Sequence, residues 1–509
     1  MNTAKKLVVI GWDGATWELL DSLMSQSCLP NLKKWLNEPA VQRQNLASTL
    51  PFLTVPAWTT FASGQNPGQY GIYGFLKPSG EFGQASPITA ADFTISTFYQ
   101  QLERKNIKSC LLNLPVPWPY GLEEGTGVAS FLSGRSDYFF PEDLEKVAPL
   151  IKRYHGQPGL LVSRFGSLRQ FAQSWRCVEK ERFNLAQQLF QNVDWDLFFV
   201  LFSGSDALSH RAYGSAAGSA GRLAIASLFA DLDKYLGWFV KQGFPLLFMS
   251  DHGFSTYRGT FYLNRWLWES GLLRLTAGAV LQTLGEHSLV GKSSWKWKLL
   301  SAVQGGAGQA VLSKIAGAAG SFVKHPLLLQ LSGLGQRPDP AHSRAYGWPA
   351  ACGLIYLNRG QLKDSAEELR KHMKSELLAL RSSDGKCLVK NVFFPQEIYH
   401  GKFIHLAPDL ILEPGDYYFN STLSSGPFLD QATVFGHARS GILAGEQAIG
   451  LSGVKEIGGL AAVISGYFGI PSRPSFGDQK QPRPPSALSS DSVSQNQVTA
   501  RLRALGYLD

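Results

Sequence analysis

The chain has 509 residues, against a typical ~100–200 per domain, so two or three domains or one large one with insertions fit its length. Hydrophobic residues make up 44% and charged ones 17%, enough for a sizeable core and incompatible with global disorder. The net charge of +9 opens a nucleic-acid or anionic-membrane reading, while five scattered cysteines without a Cys-x-x-Cys exclude a disulfide framework and point to reducing cytoplasm.

In chain order, the first apolar run covers 7–11 and ends in Asp13. It is too short for the core of a signal peptide, and no stretch of the chain reaches the ~18 apolar residues of a membrane span, so a soluble cytoplasmic protein is expected. The run reads as a strand buried on both faces, followed by a helical pattern over 16–36. Next comes Leu53-Thr54-Val55-Pro56-Ala57-Trp58-Thr59-Thr60-Phe61, a hydroxyl ahead of a proline-containing turn into a helix. Helix N–H groups and a metal can jointly hold a phosphate at such a place. Thr54 is a weak nucleophile until a metal or base takes its proton, and on residue type alone Thr49, Thr59 and Thr60 compete for that role.

A strand is expected over 108–112. A helical pattern over 176–191 then leads into the apolar run 197–202, which ends in Ser203-Gly204-Ser205-Asp206. Another over 222–241 leads into 245–249, which ends in Ser250-Asp251-His252-Gly253. Strands alternating with helices predict an α/β fold, a doubly wound and mainly parallel or mixed sheet covered on both faces. Ligands of such sheets sit beyond the carboxyl ends of the strands, where these polar residues fall. Further strands are expected over 353–357 and 409–412. The stretch 271–337 is Gly-rich and small-residue-rich and reads as an inserted helical subdomain or lid. That leaves 1–270 and 338–470 as the catalytic core, 471–497 as a disordered Pro/Ser-rich linker, and 498–509 as a short terminal helix.

Asp13, Asp206, His210, Asp251 and His252 share one property: each lies at or just past the end of an expected strand, with no cation beside it to pair with. Asp206 and His210, four apart, project from one side of a helical turn. Carboxylate and imidazole without thiolate form the ligand set of zinc, manganese or iron in hydrolytic sites. The plain alternative, that each Asp caps a following helix, fits any one of them and fits the group poorly. Gly291-Lys292-Ser293 lacks the earlier glycine of a P-loop, because Glu286 stands there.

The order Gly11-x-Asp13-Gly14, Thr54-x-Pro56 through Gly64, Pro67-Gly68-x-x-Gly71-Ile72, Asp206-x-x-x-His210, Asp251-His252-Gly253 and Gly436-His437 resembles the alkaline phosphatase superfamily. Within it the chain is most similar to the type I phosphodiesterase and nucleotide pyrophosphatase branch. The resemblance implies an alkaline-phosphatase-like fold and two divalent metal ions, zinc first, with manganese or iron as alternatives. Asp13, Thr54, Asp251 and His252 would hold one ion, and Asp206, His210 and His437 the other. Thr54 would attack phosphorus in line, giving a phospho-threonine intermediate that is then hydrolysed. The substrate would be a small phosphate ester, a diester in the first instance, carried by a nucleotide, sugar or lipid head group. The same scaffold also supports phosphomonoester hydrolysis, phosphoryl transfer and phosphonate cleavage, and a non-catalytic binding protein is the reading from another class.

Two positions depart from the branch. Tyr70 stands where it usually has His, and Tyr73-Gly74-Phe75 offers no amide where nucleotide pyrophosphatases carry Asn. Nucleotide pyrophosphate specificity is what these departures put in doubt. The charge excess is also localised: 287–337 holds Lys292, Lys296, Lys298, Lys314, Lys324 and Arg337 and no Asp or Glu. Six of the nine excess charges sit there, so no nucleic-acid partner is expected. With Trp295, Trp297, Leu299 and Leu300 the segment suggests peripheral membrane contact or a cationic cap, against the plain alternative of a solvated helix face.

Overall fold

A computed structural model describes residues 5–133, 139–141, 151, 154–158, 166–212, 218–274, 338–348, 353–422 and 427–471. All but the first residue of the expected linker and the whole of the expected terminal helix lie outside the described residues, as do all but the first four residues of the expected insert.

Eight strands form the main sheet, in the spatial order Val41–Ala47, Ser440–Glu446, Leu246–Met249, Leu7–Trp12, Leu197–Phe202, Ser109–Leu112, Thr126–Val128 and Phe139–Phe140. The five strands from Leu246–Met249 to Thr126–Val128 run parallel, and the remaining pairings are antiparallel. Strand residues alternate between two cores, as a pleat of period two requires. Val8, Ile10 and Trp12, with Phe198, Val200 and Phe202, face the helices Trp17–Ser25, Pro30–Leu36, Leu168–Asn192 and Gly218–Val240. Leu7 and Val9, with Phe199 and Leu201, face the helices Thr54–Ser63, Phe98–Glu103 and Gly459–Tyr467. This is the doubly wound, mixed and mainly parallel α/β architecture that the alternation predicts.

The expected helix over 16–36 is two helices, parted where Ser27 takes a φ of 59° and Pro30 opens the second helix. A smaller antiparallel sheet carries a core of its own, in the order Ala345–Trp348, Leu354–Leu357, Leu410–Pro414 and Val389–Phe393. The helices Leu263–Glu269 and Ala366–Ala379 pack on it. The expected strands over 353–357 and 409–412 are the two inner strands of this sheet.

Candidate active site

Three adjacent parallel strands, Leu246–Met249, Leu7–Trp12 and Leu197–Phe202, end on the same edge of the main sheet. Asp13 directly follows the central one. Asp206 lies in the first turn of the Gly204–Ala212 helix that leaves the second, with His210 one turn later. Asp251 and His252 follow the third and lead into Gly253–Tyr257, which pairs antiparallel with Val434–Ala438 and sets His437 opposite Phe254. The chain thus gathers residues from 13 to 437 because three neighbouring strands run in one direction and a fourth segment, Val434–Ala438, pairs back onto the strand that follows His252.

The six form two sets. His437 Nε2 lies 3.2 Å from Asp206 Oδ1 and 2.7 Å from His210 Nε2, with His210 Nε2 3.4 Å from the same carboxylate oxygen. His252 Nε2 lies 3.3 Å from Asp251 Oδ2 and 3.7 Å from Asp13 Oδ1. In each set the ligating atoms lie within 4.8 Å of one another. The sets adjoin, since the His252 and His437 rings are 3.9 Å apart at their centroids.

Burial and mutual charge make this arrangement unstable by itself. Burial, then the charges of Asp251 and Asp206, hold the Asp13 carboxyl well above its ordinary range. Asp251 is pushed up to about 7, first by burial and then by Asp206. Burial acts upward on Asp206 too, yet His210 and then His437 hold it well below the usual range. Burial lowers His252 to about 4, and burial with His252 and His210 lowers His437 to about 3. Burial thus favours the neutral, ligating form of the His252 and His437 imidazoles, and the His437 and His210 Nε2 atoms, 2.7 Å apart at hydrogen-bond distance, meet beside the Asp206 carboxylate in a donor set able to hold a cation.

The donor atoms fit such a cation. Asp13 Oδ1, Asp251 Oδ2, His252 Nε2, Asp206 Oδ2 and His437 Nδ1 are buried with no hydrogen-bond partner, and so is Thr54 Oγ1. Buried polar atoms left unpaired in this way are costly, and three of them, Asp13 Oδ1, Asp251 Oδ2 and His252 Nε2, are the converging atoms of the first set; in the second set the converging atoms are Asp206 Oδ1, His210 Nε2 and His437 Nε2, which meet one another. The His252 Nδ1–H faces the Gly253 carbonyl at 3.3 Å, which leaves Nε2 free to ligate. Oxygen and nitrogen donors without thiolate suit zinc, manganese or iron. Among the described residues no Lys or Arg is ion-paired to these carboxylates.

Thr54 is the first residue of the Thr54–Ser63 helix, every residue of which is buried. One turn on, the Trp58 indole N–H donates to Asp13 Oδ2 at 3.4 Å, so the face that carries Thr54 is turned to the first set. The competing hydroxyls fare differently. Thr60 Oγ1 is engaged by the Tyr70 phenol at 2.7 Å, and Thr49 is bonded locally to Leu50 O at 3.4 Å. Thr59 keeps an unpartnered buried hydroxyl but lies five residues past Thr54, on another side of the helix. Sequence reasoning missed Trp58, although its i, i+4 spacing from Thr54 was there to read. It also missed Tyr257, whose hydroxyl donates to the His437 carbonyl at 2.7 Å.

The departures are structural ties. The Tyr70 hydroxyl also donates to the Pro56 carbonyl at 2.9 Å, fastening the helix that carries Thr54. Phe75 packs in the main core, its ring 6.4 Å from Phe131. Trp12 and Trp17 are core residues: Trp12 meets Phe248 edge-on at 4.8 Å, and the Trp17 indole N–H donates to Gln44 O. A cavity of about 460 Å³ lined by Gln44, Lys390, Glu413, Arg439 and Lys455 contains none of the site residues.

The sheet, the strand-end carboxylates and the paired imidazoles define a metal-dependent phosphohydrolase of the alkaline phosphatase superfamily. The family model "Type I phosphodiesterase / nucleotide pyrophosphatase" matches residues 7–441, and the chain belongs to that family. It is accordingly an enzyme, a hydrolase of phosphoric ester bonds. Phosphonoacetate hydrolase from Sinorhizobium meliloti 1021 is similar in structure at a TM-score of 0.54, with 13% identity in the phosphonoformate complex and 12% in the phosphonoacetate complex. Each of those alignments covers 91% of this chain and 96% of the other. Murine ectonucleotide pyrophosphatase/phosphodiesterase 5 aligns at a TM-score of 0.48 and 12% identity, over 93% of this chain and 97% of its own. No curated protein matches the chain. Among the described residues no helix is long and apolar enough to cross a membrane.

Proposed function

We propose that the chain hydrolyses phosphodiesters with Thr54 as nucleophile. Asp13, Thr54, Asp251 and His252 would hold one divalent ion and Asp206, His210 and His437 a second, zinc being the first choice and manganese or iron the alternatives. The observation that carries this is the pair of adjoining carboxylate and imidazole sets, each with its ligating atoms within 4.8 Å of one another, beside the ends of three neighbouring strands. Such ions, when bound, acidify a coordinated hydroxyl and neutralise charge on a transferring phosphoryl group.

Thr54 supplies the attacking oxygen from the first turn of its helix, whose free N–H groups favour an anion. Its Oγ–P bond forms in line as the bond from phosphorus to the leaving oxygen breaks, giving a phospho-threonine. Water then attacks that phosphorus and releases the Thr54 oxygen. Trp58 holds one oxygen of Asp13, so that the carboxylate keeps the other directed into the site. A diester carries one negative charge on its phosphate, which agrees with a site to which no described Lys or Arg is paired. Cys28, Cys110, Cys177 and Cys387 are all unbridged, which favours a reducing cytoplasm.

The test is turnover of an aryl phosphodiester by Thr54→Ala. Activity is abolished while metal content stays near that of the native chain; full activity in the variant overturns the nucleophile. Comparing aryl diester, aryl monoester and phosphonate substrates on the native protein decides the substrate class.

A further inference from the structure

Two fully buried charges interrupt an otherwise apolar helix face. The Leu168–Asn192 helix turns Phe171, Trp175, Val178, Leu185 and Leu189 into the core, and Glu179 and Arg182 lie on that same side with zero exposure. An interior ion pair seldom offsets its lost hydration, and apolar residues of similar volume in its place are often neutral or stabilising. Stability alone does not explain this pair.

Its hydrogen bonds do. Glu179 Oε1 accepts the Gly204 backbone N–H at 2.5 Å, the Ser203 N–H also points to the carboxylate, and Arg182 Nη1 donates to Oε2. Gly204 opens the Gly204–Ala212 helix, whose first N–H groups lack partners within the helix. A carboxylate from a neighbouring helix therefore caps it, at the positive end of its dipole. Closeness requires the glycine, since a Cβ there would stand 2.9 Å from Glu179 Oε1 and 3.1 Å from the Trp175 ring. Arg182 is itself held, donating from Nε to the Tyr154 hydroxyl and from Nη2 to the Gly156 carbonyl, both at 2.7 Å. Asp206 follows two residues after Gly204, with His210 one turn on. Ser205, between Gly204 and Asp206, donates its hydroxyl to the Asp13 carbonyl at 2.7 Å.

We propose that Glu179 is a positioning residue for the Asp206–His210–His437 site: by capping the Gly204–Ala212 helix from a fixed guanidinium, it sets the height and rotation at which Asp206 and His210 meet His437. This rests on the two-metal reading above. The test is metal binding by Glu179→Leu/Arg182→Met, an apolar pair of similar volume, and by Gly204→Ala, which presses on the same contact without touching either charge. Native protein should bind two equivalents of zinc. Each variant should keep the melting temperature of the metal-free chain within a few degrees and bind the first equivalent unchanged, with the second weakened about 10–100-fold. Glu179→Gln, which keeps an acceptor for Gly204, should recover part of that loss. Two equivalents bound at native affinity by both variants would overturn the positioning role alone. A native chain that binds no zinc, manganese or iron would overturn the metal reading and the role with it. If the double variant does not fold, Gly204→Ala decides.

Discussion

At position 70 a phenol stands where the family usually has an imidazole, and its contacts explain why the exchange leaves the site intact. Tyr70 is buried and bonded to Thr60 Oγ1 and to the Pro56 carbonyl, both on the helix that begins with Thr54. Its hydroxyl is taken up by the helix that begins with Thr54. Tyr70→Phe removes the hydroxyl, leaves both partners buried without it, and is expected to cost about 1–3 kcal/mol. Urea unfolding of metal-loaded protein should read that loss, with metal content unchanged; lost metal would place Tyr70 among the ligands instead. The same contact separates Thr54 from Thr60, a distinction that residue type could not make. Asp13, Asp206, His210, Asp251 and His252 were legible because carboxylate and imidazole at or just past the ends of apolar runs are uncommon, whereas His437 and the role expected of Thr54 came only from the family resemblance. Glu179 and Arg182 were not, because a charged pair three apart on a helix reads as a solvated face until the neighbouring helix is in place.

Among the elements, the turn that leaves the central strand carries the most constraint. Gly14 has a φ of 66°, its N–H donates to Asp251 Oδ1 at 3.3 Å, and a Cβ on it would lie 2.7 Å from the Phe254 ring and 3.0 Å from Asp206 Oδ1. A side chain there meets a left-handed backbone and the Asp206 carboxylate of one set, while the backbone N–H at the same residue is tied to Asp251 of the other. Gly14→Ala is expected to cost roughly 1–2 kcal/mol from the backbone alone. It should also lower the metal content of both sites, as elemental analysis of the purified variant would show. Normal metal content would mean that the turn yields without moving Asp206 or Asp251. The strands that build this edge were legible as apolar runs because burial on both faces removes the polar alternation. The second sheet was legible only as isolated strands. Leu354–Leu357 pairs with Leu410–Pro414 more than fifty residues away, and nothing local in either segment names its partner.

For the molecule as a whole, the site and the chain's net charge have to be considered together. Asp13, Asp206 and Asp251 put three carboxylates on one sheet edge, with no described Lys or Arg paired to them, so without a cation burial and mutual charge drive Asp13 and Asp251 toward their protonated forms and the edge offers an anionic substrate no positive charge. Two divalent ions, one in each candidate set, would supply that charge and stabilise the fold, by about 2.7 kcal/mol per site at a hundredfold excess over Kd. Chelation is therefore expected to abolish diester turnover and to lower the melting temperature by several degrees, with zinc or manganese restoring both; a metal-free chain that keeps its activity would refute the site. Beyond the ions, six of the nine excess charges fall within 287–337, so the long-range field is concentrated in one segment of the sequence. If that field steers anionic esters, raising the salt from 50 to 500 mM should raise KM about two- to fivefold in the native chain with kcat unchanged, since screening shortens its reach to a few ångströms. Replacing Lys292, Lys296 and Lys298 with Gln should raise KM at low salt and flatten its salt dependence. An unchanged KM and salt slope in the triple variant would leave the excess as ordinary surface charge, with attraction of the substrate then owed to the bound ions alone.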